Sequence, residues 1–279
     1  MENQKTVPTD MEIYLFDLRG YIILKNAVTK DLVCQLNKSI DQLLPLEIGQ
    51  WSCYVHGHRY GETDGFNLQQ IYEAGPAWEE LIDHPAWIEK VKHFIGGSGT
   101  FDYHHGPLFI DENFVNIRGP GESIGIHSGA HSPVKRTQFL FRNGQFMCGQ
   151  INIFLALTDM GPGDGCTGGI PGSHKANFKN PEVNYGVSGS VDAHEASVEV
   201  HLTAGDALLF VDAISHGSSA RKNPGQRRNA LFRYGPSWGN FRHGYQPSKE
   251  LLDRLTPERR QIIWPQHSIP NSPYKTDNL

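Results

Sequence analysis

Apolar residues in the first part of the chain recur at helical spacing. Over 29–44, Leu32, Val33, Leu36, Ile40 and Leu43 form a stripe of helical period behind a capping Thr29, and Pro45 ends the run. A second helical stretch over 77–94 carries Leu81, Trp87, Ile88 and Val91 on its apolar side, and Pro85 predicts a break within it. Ahead of both, GYIILK at 20–25 reads as a short strand. From about Phe101 the pattern changes to short apolar runs separated by Gly, Pro and Asn. Strands are predicted over 114–117, 138–142, 150–157, 198–202, 207–211 and 229–234. Strands at this spacing without interleaved helices point to a sandwich or barrel. The expected fold is mainly β: a double-stranded β-helix, or jelly roll, over 101–245. A helical layer (1–100) supports it and a C-terminal extension (246–279) follows, all in one domain. The segment 49–75, rich in Tyr, His and Gly, is a candidate cover over the site.

Composition narrows the function. The 279 residues carry 30 glycines and 17 prolines spread along the chain, which suits a loop-rich β fold rather than disorder. The net charge is −5 and no long run of Lys and Arg occurs, so a nucleic-acid polymer is not an expected partner. Cys34, Cys53, Cys148 and Cys166 form no CxxC pair, and a reducing, cytoplasmic setting is the expectation. No apolar stretch approaches the roughly 18 residues needed to span a bilayer, so no membrane role is expected.

Fourteen histidines make any single one weak as a signal, and position relative to strands has to select among them. His127 lies in GIHSGAH at a strand edge, and His216 follows the apolar run from Ala207. Arg227 comes after an Asn223-Pro-Gly turn and opens the next strand, so a hairpin would return its guanidinium toward His216. That arrangement suits a dicarboxylate that chelates a metal at one end and needs a bidentate cation at the other. Ser218 shares a strand face with His216 and could add a hydroxyl there. Arg228 is a rival for the clamp, although neighbours on a strand face opposite ways.

Gln150 and Asn152 are polar residues on one face of a core strand, candidates for contact with co-substrate or substrate, against the blander reading of satisfied buried hydrogen bonds. His131, Lys135 and Arg136 are candidate substrate residues, and with Arg118 and Arg142 nearby in sequence they would suit an anionic small molecule. A solvated loop is the competing reading. His104 and His105 read as surface turn residues, and His174 as structural.

The segments ALTD at 156–159, IPGSHK at 170–175, GDALLF at 205–210, HGS at 216–218 and Arg227 together resemble the phytanoyl-CoA dioxygenase family of Fe(II)/2-oxoglutarate enzymes. DLRGYIIL at 17–24 is similar to that family's opening strand. The resemblance implies a jelly-roll core, iron, 2-oxoglutarate and O2. It implies His127 and His216 as metal ligands, with Arg227 and Ser218 at the co-substrate carboxylate.

One position departs from the family pattern. The facial triad is two histidines and a carboxylate in the form His-x-Asp or His-x-Glu, but this chain has His127-Ser128-Gly129. Three readings of Gly129 stand. A chloride fills the gap, as in the iron-dependent halogenases that this pattern resembles, and the chain chlorinates an unactivated carbon of a small molecule such as a nucleotide. Water fills it, and the chain is a hydroxylase. A carboxylate from elsewhere completes the triad, with Asp212, Asp164 and Glu122 as candidates. Asp212 lies four extended residues before His216, roughly 13 Å along a strand. A non-catalytic jelly-roll ligand-binding protein is the alternative from another class.

Overall fold

The computed structural model describes residues 6–96, 106–182, 190–239 and 246–264. His104 and His105 lie outside the described residues. Helix α1 (Asp10–Arg19) opens on a reciprocal cap. The Glu12 N–H donates to the Thr9 side chain at 3.2 Å, and the Thr9 N–H donates to the Glu12 carboxylate at 2.8 Å. Strand β1 (Tyr21–Leu24) follows directly. Helix α2 (Lys30–Leu43) starts at the predicted Thr29 cap and buries Leu32, Val33, Leu36 and Ile40. The second stretch divides around Pro85 as its ring requires, into α3 (Pro76–Glu79) and α4 (Ile88–Ile95).

Residues 51–69 depart from expectation. They form β2 (Trp51–Ser52), β3 (Val55–His58) and β4 (Phe66–Gln69), and β4 pairs in register with β5 (Leu108–Arg118). They extend the main sheet and are not a separate cover. β5 itself is far longer than the predicted 114–117. The predicted 138–142 strand is reduced to a small hairpin, β6 (Phe141–Arg142) with β7 (Gln145–Phe146). The remaining strands are β8 (Ile151–Ala156), β9 (Thr167–Gly169), β10 (Val198–Glu199), β11 (Ala207–Val211), β12 (His216–Ser218) and β13 (Arg227–Pro236).

These strands build a double-stranded β-helix. The large antiparallel sheet runs β1-β11-β8-β13-β5-β4-β3-β2, and a small sheet runs β10-β9-β12. β13 is the hub, pairing with β8 on one side and β5 on the other. Alternation along each strand sends Ile22, Leu209, Ile153, Phe232 and Val115 outward into one core with Leu36, Trp87 and Val91 of the helices. The opposite face turns Leu208, Phe210, Phe154, Leu231 and Phe114 toward the small sheet. The Tyr234 hydroxyl ties β13 to the helical layer, accepting from Trp87 Nε1 at 3.2 Å and lying 3.0 Å from the Ile82 carbonyl. Helices α5 (Lys249–Arg254) and α6 (Pro257–Ile263) dock on the same layer through Arg254–Glu79 at 2.9 Å and Arg259–Asp83 at 2.6 Å. Among the described residues no helix is long and apolar enough to cross a membrane.

Two structural histidines make this assembly acid-sensitive. His84 stacks on Trp87 with centroids 4.5 Å apart, and His174 reaches the Asp17 carbonyl at 3.0 Å. Burial lowers each to about 4. The unfolded chain protonates these rings below about 6.5 while the folded chain does not, so stability falls as pH drops from 6.5 toward 4. Urea unfolding at pH 7.5 and pH 5 should show a loss of roughly 2 kcal/mol per ring at the lower pH, and His84→Gln should remove its share of that dependence.

Candidate metal and co-substrate site

His127 and His216 meet because their backbones do. His127 N donates to His216 O at 2.9 Å and His216 N to His127 O at 3.0 Å, a single β-bridge that sets the two residues directly opposite each other. Their rings converge, with centroids 4.2 Å apart at 56°. Each Nδ1 lies within hydrogen-bond reach of the carbonyl two residues earlier, His127 to Gly125 O at 3.0 Å and His216 to Ile214 O at 2.7 Å. That bond fixes Nδ1 as the protonated atom and leaves the lone pair on Nε2. Burial, with the neighbouring His127, lowers His216 to about 3, so the ring is neutral and a competent donor near pH 7. Gly217 permits the close approach of strands, since a Cβ there would lie 2.6 Å from the Ile124 carbonyl. The IPGSHK turn supports the bridge from behind: Ser215 N donates to Ser173 Oγ at 2.8 Å.

After His127 the chain turns through two positive φ angles, Ser128 at 63° and Gly129 at 121°. A Cβ at Gly129 would lie 2.6 Å from His131 Cε1 and 2.9 Å from Ser215 Oγ. The His131 ring thus packs where a side chain of residue 129 would project. Asp212 is engaged elsewhere: Oδ2 accepts from Arg136 Nε at 3.1 Å and Ser128 Oγ at 3.3 Å, and Oδ1 from Asn152 Nδ2 at 3.1 Å. It pins the turn that carries Gly129. Asp164 accepts from Gly161 N and Asn223 Nδ2, both at 2.9 Å, and faces Arg221 at 3.3 Å. Glu122 accepts from Gly119 N at 2.6 Å. All three acidic candidates are held in local networks.

At the other end of the inner face two guanidiniums oppose each other in register, Arg227 on β13 and Arg118 on β5. Both are buried, and among the described residues neither has a carboxylate within ion-pair distance. Arg227 Nε and Nη1 have no hydrogen-bond partner, and its guanidinium lies 5.1 Å from the Phe154 ring centroid. Arg118 donates to Ser218 Oγ, which also accepts from Ile124 N at 2.8 Å, and burial brings its pKa down to about 10. Buried, unmatched cations of this kind fit a carboxylate ligand. Arg118 was not among the clamp candidates from sequence, because its strand was expected to end before it. Arg228 faces the opposite way, toward Asp41 at 2.8 Å.

Gln150 and Asn152 lie on the inner face, fully buried, with both Gln150 amide atoms and Asn152 Oδ1 lacking partners. The basic residues proposed for an anion do not gather: Arg136 is drawn to Asp212, Lys135 rests 5.8 Å from the Trp238 ring centroid, and Arg142 is exposed on the β6–β7 hairpin. A groove of about 520 Å³ beside the Gly129 turn is lined by His131, Lys135, His174 and Lys175. A groove of about 650 Å³ between α1 and β1 touches none of these residues.

The family profile for phytanoyl-CoA dioxygenase matches residues 16–229. Dioxygenase cdmD of Talaromyces verruculosus is 27% identical over 187 residues, which cover 66% of this chain and 56% of that protein. Dioxygenase aneA of Aspergillus aculeatus is 25% identical over 258 residues, covering 88% of this chain and 78% of that one. Among solved structures, HygX from Streptomyces hygroscopicus, crystallised with nickel and 2-oxoglutarate, is similar with a TM-score of 0.70 at 19% identity, covering 88% of this chain and 94% of the other. At that identity the likeness is one of fold.

The crowding at Gly129 has a measurable cost. Gly129→Ala should destabilise the fold by about 1–3 kcal/mol from its φ alone, plus the clash with the His131 ring. Thermal melts should show the clash part returning in the Gly129→Ala, His131→Ala double variant and the backbone part persisting.

Proposed function

Because the chain belongs to the phytanoyl-CoA dioxygenase family, we propose that its Fe(II)/2-oxoglutarate-dependent chemistry is directed to halogenation of an unactivated carbon of a small molecule. His127 and His216 would hold iron through Nε2. Arg227 would hold the far carboxylate of 2-oxoglutarate, with the Ser218 hydroxyl and Arg118 beside it. Together, bound iron, 2-oxoglutarate and O2 supply the oxidation of an unactivated C–H bond, with 2-oxoglutarate leaving as succinate and CO2. The protein's share is positioning, charge balance and exclusion of water.

The observation that carries the halogenation reading is that the candidate carboxylates are engaged elsewhere. Residue 129 has no donor atom, and Asp212, Asp164 and Glu122 are each committed to other partners. Two neutral imidazoles contribute no charge, so dianionic 2-oxoglutarate alone balances Fe(II). A chloride beside Gly129 then supplies the single negative charge that a His-x-Asp carboxylate would. The turn through Ser128 and Gly129 is held by Asp212, and a halide there would require the His131 ring, 2.6 Å from the Cβ position of residue 129, to move aside. A second reading, hydroxylation with water at the same position, draws on the dioxygenase names of the curated relatives and on the His131 ring that narrows the space.

Two measurements separate these. Anaerobic titration of the Fe(II)·2-oxoglutarate protein with chloride and bromide should give saturable, halide-specific changes in its visible spectrum, and products of turnover should change mass with the halide. Indifference to halide, with oxygen gained instead, would establish the hydroxylase. Iron-dependent formation of succinate excludes a purely ligand-binding role. Arg227→Lys, which keeps the charge and loses the fork, should weaken 2-oxoglutarate binding by roughly 10- to 100-fold in calorimetry while iron affinity is unchanged.

A further inference from the structure

One row of inner-face side chains runs away from the two histidines across the main sheet. It begins at Phe210, whose ring centroid is 4.9 Å from that of His216. Strand register continues it through Asn152 and Arg233 to Glu112. Gln150, two residues before Asn152, shares its face. Arg233 Nε, Asn152 Oδ1 and both Gln150 amide atoms have no hydrogen-bond partner, in residues that are 9%, 0% and 0% exposed. Buried polar atoms are nearly always satisfied in folded proteins, and a group of orphans on one face points to a partner that is not part of the chain.

Charge limits what that partner is. Arg233 Nη1 lies 3.1 Å from Glu112 Oε2, and the other Glu112 oxygen accepts from the Tyr60 hydroxyl. Asp212, bonded to Asn152, is matched by Arg136. Among the described residues the row therefore pairs its one guanidinium with a carboxylate, whereas Arg227 and Arg118 have no carboxylate within ion-pair distance. An anion placed on Arg233 would be set against Glu112.

A run of rings leads to the same row. Trp51, His56, His58, Tyr60 and Phe114 follow one another with centroids 4.5, 5.9, 4.5 and 6.3 Å apart. Trp51 and Tyr60 are exposed, and Phe114 is buried beneath the Arg233 guanidinium. Tyr60 joins the two features, its ring beside Phe114 and its hydroxyl on Glu112.

We infer that the primary substrate is a neutral ring compound bearing hydroxyl or amide groups, of the nucleoside or glycoside class and without phosphate or carboxylate. Its polar groups pair with Arg233, Gln150 and Asn152 and its ring stacks along Tyr60. This deepens the oxygenase reading above and depends on it. It also replaces the anionic substrate suggested by Lys135 and Arg136.

The test uses the full chain loaded with Ni(II) and 2-oxoglutarate, which binds without turning over. Adenosine, cytidine, uridine and methyl glucosides are compared with their phosphorylated counterparts by thermal shift and by tryptophan emission, with Trp51→Phe marking the share of Trp51. At least one neutral member should bind tenfold or more tighter than its phosphate. Arg233→Met alone would take away the cation 3.1 Å from Glu112 Oε2, so the variant is Arg233→Met with Glu112→Met. It should weaken the neutral probe at least tenfold and leave 2-oxoglutarate affinity within twofold. Gln150→Met should raise the Tm, by removing an orphaned amide, and weaken the same probe. Equal or tighter binding of phosphates, no binding by any neutral member, or an undiminished affinity in the variants overturns this assignment. Failure of the wild-type protein to bind 2-oxoglutarate, measured separately, would instead overturn the oxygenase reading itself.

Discussion

The site rests on one reciprocal pair of backbone hydrogen bonds. The bridge between His127 and His216 joins two segments far apart in the chain and leaves their imidazoles no choice but to face each other. The rest of the neighbourhood serves that contact. Carbonyls two residues back set both tautomers, the Ser173 hydroxyl steadies the strand behind His216, and Asp212 secures the sharp turn that follows His127. The orientation that the proposed metal site would need comes first from main-chain geometry, with the Phe210 ring packed against His216.

Seen along the strands, the inner face is layered by chemistry. One layer has two guanidiniums, Arg227 and Arg118, with no carboxylate within ion-pair distance among the described residues. Above it lie the amides Asn229, Asn116 and Asn67, then an apolar layer of Leu208, Phe154, Leu231 and Phe114, then the balanced row of Arg233, Glu112 and Asn152. Both inward arginines of β13 lean onto aromatic rings of the apolar layer, Arg227 on Phe154 and Arg233 on Phe114. A single strand thus carries an arginine without a carboxylate within ion-pair distance among the described residues at one end and an arginine paired with Glu112 at the other, the separation of charge on which the two proposed ligand positions depend.

Helix α2 was legible in the sequence because cap, stripe and terminating proline agree, and Pro85 marked the break before α4 because its ring cannot sit inside a helix. The strands β8, β11 and β13 were legible because both faces carry apolar residues. β3 and β4 were not. Their inward positions are His56, His58, Asn67 and Gln69, so the period-2 signal that normally marks a half-buried strand is inverted by the polar wall they help to line. Arg118 was missed as a neighbour of Arg227 for a related reason: β5 mixes Asn, Asp and Glu into a strand buried along its length, and pattern alone ended it too soon. The pairing of His127 with His216 could be read from their places at strand ends. The occupation of the Gly129 corner by His131 depends on two unusual backbone angles, which sequence pattern does not encode.

The order of strands also bears on how the chain is made. β1 has its partner in β11, so Tyr21–Leu24 leaves the ribosome long before Ala207–Val211 exists to receive it. β5 likewise waits for β13. During synthesis the early apolar edge has α1, α2 or chaperones to cover it, and the main sheet closes only once Arg227–Pro236 has been made.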